Sequence, residues 1–179
     1  MLENRKTILS SKTKTVEICR DNPTVLIGER INPTGRKVVL AALQEGNFEL
    51  VRQDAIKQVE AGATVLDVNA GVPGADEVAL LSQVIQEVMS VVDAPLCIDT
   101  ANPQALEAAL KLYEGKALIN SVNGEEKSLE TILPLAKEYG AAIIGLCMDD
   151  DGIPTTPSAR LEVADKIIER ATSMGIPIE

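Results

Sequence analysis

The feature that most constrains the fold is a local pattern that recurs along the chain. An amphipathic segment ends at a glycine, and a short apolar run follows directly. These glycines are Gly62, Gly115, Gly140 and Gly175. Each stands where a helix needs a left-handed residue just past its end. The runs that follow are apolar on both faces, which is typical of buried strands in a parallel sheet.

The pattern predicts alternating strands and helices. The predicted strands cover residues 25–29, 64–68, 96–99, 117–120 and 142–147. The helices between them carry apolar residues at helical spacing, and Asn102 followed by Pro103 predicts a capped helix start. Pro134 predicts a kink or a late start in its helix. The last helix is predicted to pack through the stripe Leu161, Ala164, Ile168 and Ala171.

Strict alternation predicts an α/β fold with a parallel sheet, either closed into a barrel or doubly wound. No GxGxxG or GxxxxGK string follows a predicted strand, which disfavours a nucleotide-binding sheet. We therefore predict a TIM (β/α)8-type barrel. A full barrel needs about 250 residues, and this chain of 179 residues supplies about five βα units, so we expect a truncated barrel. Residues 1–23 are predicted to form an N-terminal hairpin or arm, and 24–179 the N-terminal part of the barrel.

Composition narrows the function. A net charge of −10 and an aromatic content of 2% disfavour nucleic-acid binding, which needs positive charge and stacking faces. The polar N-terminus and the lack of a long apolar run predict neither a signal peptide nor a membrane span. Three isolated cysteines indicate reduced thiols and a cytoplasmic protein. The chain has no His, which removes the commonest general base.

Polar residues stand at the ends of the predicted strands, where a β/α barrel carries its chemistry. Because side chains alternate along a strand, Asp67 and Asn69 are predicted to share one inward face. By the same reasoning, the side chains of Asp99 and Asn120 are predicted to point inward. The candidate site is therefore the group Glu29, Asp67, Asn69, Asp99, Asn120, Ser121 and Met148.

Carboxylates accept hydrogen bonds, while amides both donate and accept them, so this group matches a flat heterocycle with N–H, amino and carbonyl groups. A catalytic metal is disfavoured because hydrolytic metal barrels usually add His ligands. Structural roles stay open for each residue. Asp99 can cap the helix that begins near Pro103, and Asn120 can satisfy loop amides. Asp67 can brace Asn69 or the first loop, and Glu29 and Arg30 can pair with each other or with neighbouring residues.

Five strings occur in register on successive strands: IGERINPTG, QVEAGATVLDVNAG, LCIDT, GKALINS and IGLCMD. Together they resemble the pterin-binding barrel of methyltetrahydrofolate:corrinoid methyltransferases, which includes the folate domain of cobalamin-dependent methionine synthase. The resemblance implies transfer of the methyl group of 5-methyltetrahydrofolate to the Co(I) of a corrinoid, carried by a partner corrinoid protein. It implies that Asp99 and Asn120 bind the pterin ring, with Asn69 close by and no protein metal. It also implies a homodimer.

The family's further pterin-binding Asp and Asn lie on later strands, so we expect the isolated chain to be catalytically incomplete. No catalytic residue is assigned. The departing pterin nitrogen needs a proton, and without His it must come through an Asp, an amide network or water. Dihydropteroate synthase is the second interpretation, although its first loop resembles NVTPDSF where this chain has RINPTGRK. A non-catalytic pterin-binding fragment is the third.

Overall fold

The computed structural model describes residues 5–178. Residues 1–4 of the predicted N-terminal segment, and Glu179 at the end of the predicted barrel segment, lie outside this range. Five strands form one parallel sheet in chain order, each paired with the next. They are β3 (Ile27–Ile31), β4 (Val65–Val68), β5 (Leu96–Asp99), β6 (Leu118–Asn123) and β7 (Ala142–Leu146). β3 and β7 are the two edges, so the sheet is open across the described residues.

Helices follow the strands as the alternation predicts, which confirms an α/β fold of β/α-barrel type. They are α1 (Lys37–Gln44), α2 (Glu49–Glu60), α3 (Glu77–Val91), α4 (Pro103–Leu112), α5 (Glu126–Tyr139) and α6 (Pro157–Ser173). The Asn102 side chain caps α4 as expected by accepting from the amides of Gln104 and Ala105. In the described part of the chain, no helix has both the length and the apolar character to cross a membrane.

The two faces of the sheet bury different partners. Leu66 and Val68 of β4 belong to the large core between the sheet and the helices. Val65, Cys97 and Leu118 belong to a second, smaller core on the other face. The predicted alternation is therefore confirmed: the face that carries Val65 also carries Asp67, and it looks into the concave interior of the sheet.

A two-stranded antiparallel hairpin, β1 (Thr7–Ser10) and β2 (Thr15–Ile18), covers the start of the parallel strands. Its Leu9 is fully buried within the smaller core. The Tyr113 hydroxyl donates to the Ser10 carbonyl (2.8 Å) and accepts from the Leu96 amide (3.1 Å). The hairpin thus closes the end of the interior opposite to the polar strand ends. The division of the chain between residues 23 and 24 stays a prediction.

Several predicted boundaries are wrong. β3 begins at Ile27 rather than at residue 25, so Glu29 lies within the strand, and β6 runs on to Asn123. α5 begins at Glu126 and continues through Pro134, so the late start is not observed. Helix α1, of eight residues, was not predicted.

The predicted stripe of α6 is also wrong. Leu161 and Ile168 are 64% and 41% exposed, whereas Val163 and Ile167 are buried. The reason is the contact with two glycines of the neighbouring strand and loop. Only about 2.7 Å separates Val163 Cγ1 from the place where a Cβ on Gly124 would stand, and Ile167 packs against Gly145. These close approaches set the rotation of α6, and apolar spacing alone cannot choose between overlapping stripes.

Gly115→Ala is expected to lower the free energy of unfolding by about 3 kcal/mol or more. Gly115 has φ +148°, and an added Cβ would meet the Ser10 carbonyl oxygen at 2.2 Å. The matched control is Gly140→Ala, because Gly140 has φ +63° in open space; this change is expected to cost only the left-handed penalty of about 1–2 kcal/mol. Urea unfolding measures both. Equal losses in the two variants would contradict the predicted packing of the hairpin on Gly115.

Candidate functional site

The carboxyl ends of β4, β5 and β6 bring four polar side chains together in the interior. Asp67 lies on β4 and Asn69 directly follows that strand, while Asp99 ends β5 and Asn120 lies on β6. The strands are in parallel register, with Asp99 opposite Asn120. The side chains make two carboxylate–amide pairs that cross between strands. The inward grouping predicted for these four residues is therefore present in the structure.

The first pair lies at the mouth of the interior. Asn69 Nδ2 donates to Asp99 Oδ2 at 2.9 Å, while Asn69 Oδ1 accepts from the Gly71 amide at 2.8 Å. Asn69 itself is held by its backbone amide, which donates to the Ile31 carbonyl at 2.9 Å. Both ends of the Asn69 amide thus have partners. Asp99 is half-buried, and among residues 5–178 its Oδ1 has no hydrogen-bond partner, so this oxygen can accept from a ligand.

The second pair is deeper. Asn120 Nδ2 donates to Asp67 Oδ2 at 3.1 Å, and Asp67 is only 2% exposed. A carboxylate can only accept, so it fixes the NH2 side of Asn120 towards Asp67 and leaves Asn120 Oδ1 turned away. Among the described residues, Asp67 Oδ1 makes no hydrogen bond of ordinary geometry, and the Cys97 thiol lies beside this carboxyl. Asp67 is therefore a floor residue that orients Asn120.

Burial and crowding of negative charge shape the titration of this site. Burial raises the pKa of Asp67, and the hydrogen bond from Asn120 opposes the shift. Burial also raises the pKa of Asp99, again opposed by its amide partner Asn69, while the charges of Glu29 and Glu77 add to the rise. Burial beside Asp67 raises the pKa of the Cys97 thiol. These carboxyl groups hold protons more readily than exposed ones, which is common at functional sites.

The pH dependence of stability follows from the direction of the Asp67 shift. A carboxyl whose folded pKa is raised stabilises the fold below its unfolded pKa, and this contribution is lost as pH rises through the folded pKa. Asp67→Asn is neutral at every pH. We therefore expect the free energy of unfolding of Asp67→Asn, minus that of the unchanged protein, to rise from pH about 4 to pH about 7.

Urea unfolding of both proteins at the two pH values measures this. Asp150→Asn is the control, because it removes one negative charge from an exposed loop position. A difference between Asp67→Asn and the unchanged protein that stays constant with pH would contradict the prediction.

A cavity of about 380 Å³ opens beside the two pairs. Its size suits a small ligand. The lining includes Asp99, Thr100, Asn120, Ser121, Asn123 and Lys127. A second cavity, of about 570 Å³, lies between β7 and α6 and is lined mainly by aliphatic side chains such as Ile143 and Ile167. The smaller cavity is the one that carries the polar strand ends, so it is the candidate site.

Three further residues were predicted for this site, and only one of them lines the cavity. Ser121 lines the cavity and is half-buried. Glu29 is exposed and, within residues 5–178, makes no ion pair, so its expected pairing with Arg30 is wrong; its charge acts on Asp67 and Asp99 instead. Met148 contacts the loop after β6, where its carbonyl accepts from the Gly124 amide at 2.8 Å. The structure does not join Met148 to the four central residues.

The alternative that Asp99 caps α4 is excluded, because Asn102 fills that position. The contact of Glu77 with Thr100, the residue that follows Asp99, was missed by reasoning from sequence. Thr100 is buried, and its hydroxyl donates to Glu77 Oε1 at 2.5 Å. Glu77 begins α3, directly after the capping residue Asp76, and only the tertiary structure brings it to β5. Across the described residues, no three His, Cys, Asp or Glu side chains converge as a metal site would require.

Comparison with known proteins gives this site a context. Residues 28–175 match the protein family described as pterin binding enzymes. A methylcorrinoid:tetrahydrofolate methyltransferase of Eubacterium limosum is 34% identical over 149 residues, covering 82% of this chain and 55% of that protein. A methionine synthase of Mycobacterium leprae is 29% identical over 170 residues, covering 92% of this chain and 14% of that protein.

Solved structures of similar fold are dihydropteroate synthases. That of Thermus thermophilus has a TM-score of 0.65 and 25% identity, covering 96% of this chain and 62% of that one. That of Yersinia pestis has a TM-score of 0.64 and 20% identity, with the same coverage. The chain thus spans about half the length of the Eubacterium limosum relative and under two thirds of these structures.

Proposed function

Because the chain belongs to the family of pterin-binding enzymes, we propose that it binds the pterin ring of tetrahydrofolate and transfers a methyl group between that folate and a corrinoid. The observation that carries the proposal is the pair of carboxylate–amide contacts across three adjacent strand ends. The 34% identity to a methylcorrinoid:tetrahydrofolate methyltransferase supports the choice of substrates. The five strings on successive strands support it independently.

In this proposal Asp99 and Asn120 hold the ring. The free oxygen of Asp99 accepts from ring N–H or amino groups, and Asn120 presents the oxygen that Asp67 leaves free. Asn69 has partners at both ends of its amide, so it acts as a brace for Asp99 rather than as the main contact. Asp67 fixes Asn120 from below. Glu29 and Ser121 stand at the mouth, and Met148 stays a predicted supporting residue.

The chain must also control a proton on the pterin nitrogen that carries the methyl group. An amine leaves poorly as an anion, so the nitrogen must gain a proton or a strong hydrogen bond as the carbon–nitrogen bond breaks. The chain has no His. Asp99 lines the cavity and burial raises its pKa, so it is the carboxyl group suited to pass that proton, directly or through water. The corrinoid, when bound, supplies the methyl donor or acceptor.

The direction of transfer is left to experiment. The sequence strings suggest transfer from 5-methyltetrahydrofolate, while the name of the Eubacterium limosum relative gives the opposite direction. A catalyst accelerates both directions of one equilibrium, so a single site serves either. A partner corrinoid protein, a homodimer and a cytoplasmic location stay predictions.

Dihydropteroate synthesis is the second candidate, because the similar structures carry that name. Known structures of such enzymes contain 4-aminobenzoate or 7,8-dihydropteroate. The segment 30–37, which joins β3 to α1, argues against this activity in the present chain, because it reads RINPTGRK. Arg36 of this segment also binds α2, because its guanidinium donates to Asp54 at 2.6 Å.

The test begins with tetrahydrofolate binding to the purified protein by titration calorimetry. Transfer is then followed by cobalamin absorbance, with tetrahydrofolate plus methylcobalamin and with 5-methyltetrahydrofolate plus reduced cobalamin. Binding of tetrahydrofolate supports the ligand. An absorbance change in either direction supports the reaction and overturns the expectation that the isolated chain is catalytically incomplete. Failure to bind tetrahydrofolate overturns the proposed ligand. Formation of 7,8-dihydropteroate from 4-aminobenzoate and 6HMPPP, the compound in another Thermus thermophilus dihydropteroate synthase structure, overturns the proposed reaction in favour of the second candidate.

A further inference from the structure

Glu77 joins three elements at the edge of the candidate site. It is the first residue of α3 and is half-buried. Its Oε1 accepts from the Thr100 hydroxyl at 2.5 Å, and its Oε2 accepts from Asn102 Nδ2 at 3.4 Å. Thr100 directly follows β5, and Asn102 caps α4. One carboxylate therefore ties α3 to the turn that connects β5 with α4.

Thr100 connects Glu77 to Asp99 and Asn120, the residues proposed to bind the ligand. The Thr100 hydroxyl accepts from the Asn102 amide at 3.0 Å while donating to Glu77. The Thr100 amide donates to the Asn120 carbonyl at 3.2 Å. Asp99 is the preceding residue, so its Cα position depends on the same turn. Thr100 is only 4% exposed, and a buried hydroxyl with two partners has one stable orientation.

From these contacts we propose that Glu77 is a positioning residue, which holds the turn at Asp99–Thr100 so that Asp99 and Asn120 meet the ligand together. The inference rests on the proposed function for the identity of the ligand. It does not place Glu77 in contact with that ligand. The chemistry agrees, because a carboxylate makes stronger hydrogen bonds than a neutral acceptor and can serve two donors at once.

Glu77 also acts on Asp99 through its charge. The negative charge of Glu77 is among the causes that raise the pKa of Asp99. The titratable groups that act on Asp99 or on which it acts are Glu29 on β3, Asp67 on β4, Cys97 on β5 and Glu77 on α3. Glu125 and Lys127 line the same cavity from the start of α5. Removing the charge at residue 77 should therefore lower the pKa of Asp99 and move the acid limit of ligand binding to lower pH.

The experiment compares Glu77→Ala and Glu77→Gln with the unchanged protein. Tetrahydrofolate Kd is measured from pH about 4 to pH about 8, because the pKa of Asp99 lies above the ordinary value of about 3.9 for Asp. Glu77→Ala is expected to raise Kd about tenfold, which corresponds to about 1.4 kcal/mol. Glu77→Gln still accepts from Thr100, so its Kd near neutral pH is expected to rise less. Both variants should show the acid limit of binding displaced to lower pH.

Glu49→Gln is the matched control, because Glu49 is likewise the first residue of its helix and pairs with Arg52 away from the site. Its Kd and pH profile should not change. Lower stability in the Glu77 variants with an unchanged Kd and pH profile would reduce Glu77 to a structural role and overturn the proposal.

A measurement without ligand separates this proposal from the proposed function. Hydrogen exchange reports on the amides of Thr100 and Asn102, which are bonded to Asn120 and to the Thr100 hydroxyl. Glu77→Ala is expected to lower their protection, and unchanged protection overturns the positioning role. If the unchanged protein fails to bind tetrahydrofolate, the ligand assignment falls, while the exchange result still decides whether Glu77 holds the turn.

Discussion

Replacing Asp99 with Asn is expected to weaken tetrahydrofolate binding by about 1.5–3 kcal/mol, a rise in Kd of about 10–150-fold. The substitution removes the charge that accepts from the ring, and it places a second amide against Asn69, which already donates to this position at 2.9 Å. Titration calorimetry at neutral pH measures the change. The loss should shrink as pH falls through the raised pKa of Asp99, because protonation removes the same charge.

Asp76→Asn is the control for this prediction. Asp76 caps α3 near the same mouth, and Asn is as good a cap as Asp. The control should leave both the Kd and the free energy of unfolding close to those of the unchanged protein. An Asp99→Asn variant that binds tetrahydrofolate with undiminished affinity would remove Asp99 from the proposed ligand contacts.

Leu9→Ala is expected to lower the free energy of unfolding by about 2–5 kcal/mol. Leu9 is fully buried although it lies in a short hairpin strand, and it packs with Val65, Cys97 and Leu118 from three strands of the sheet. Truncation leaves a cavity below the candidate site, at the end that the hairpin closes. The expected cost is large because the strands around the cavity are fixed by their ladder and cannot collapse into it.

Ile8→Ala provides the comparison, because Ile8 is the preceding residue of the same strand and is 39% exposed. Its loss should be well below that of Leu9→Ala, since less buried surface disappears. Urea unfolding of both variants gives the two values. If they are equally destabilised, the hairpin is not fixed against the sheet by Leu9.

The sequence was sufficient for the order of the parallel strands and for the two faces of those strands. Glycine after an amphipathic helix and before an apolar run is local information, and the resulting parallel order is observed from β3 to β7. Alternation along a strand is equally local, which is why Asp67 and Asn120 could be assigned to the interior. The cap at Asn102 followed from the same short-range chemistry.

Long-range contacts decided what local patterns left open. The rotation of α6 depends on how closely Val163 approaches Gly124, and several apolar stripes on that helix fit the spacing equally well. Glu29 could pair with Arg30 by sequence, yet it acts on Asp67 and Asp99 across the sheet. Neither outcome is encoded within a few residues.

The candidate site also combines features that the local sequence predicts with features that only the tertiary structure fixes. Sequence placed Asp99 and Asn120 at adjacent strand ends, but it could not pair Asn69 with Asp99, or Asn120 with Asp67. Which amide meets which carboxylate depends on strand register and on side-chain depth, and both are set by the packing of the whole sheet. Glu77 reaches Thr100 across 23 residues of chain for that reason. Local sequence determined which polar groups face the interior, and the tertiary structure decided their partners, because hydrogen bonds between strands depend on distances that only the assembled sheet fixes.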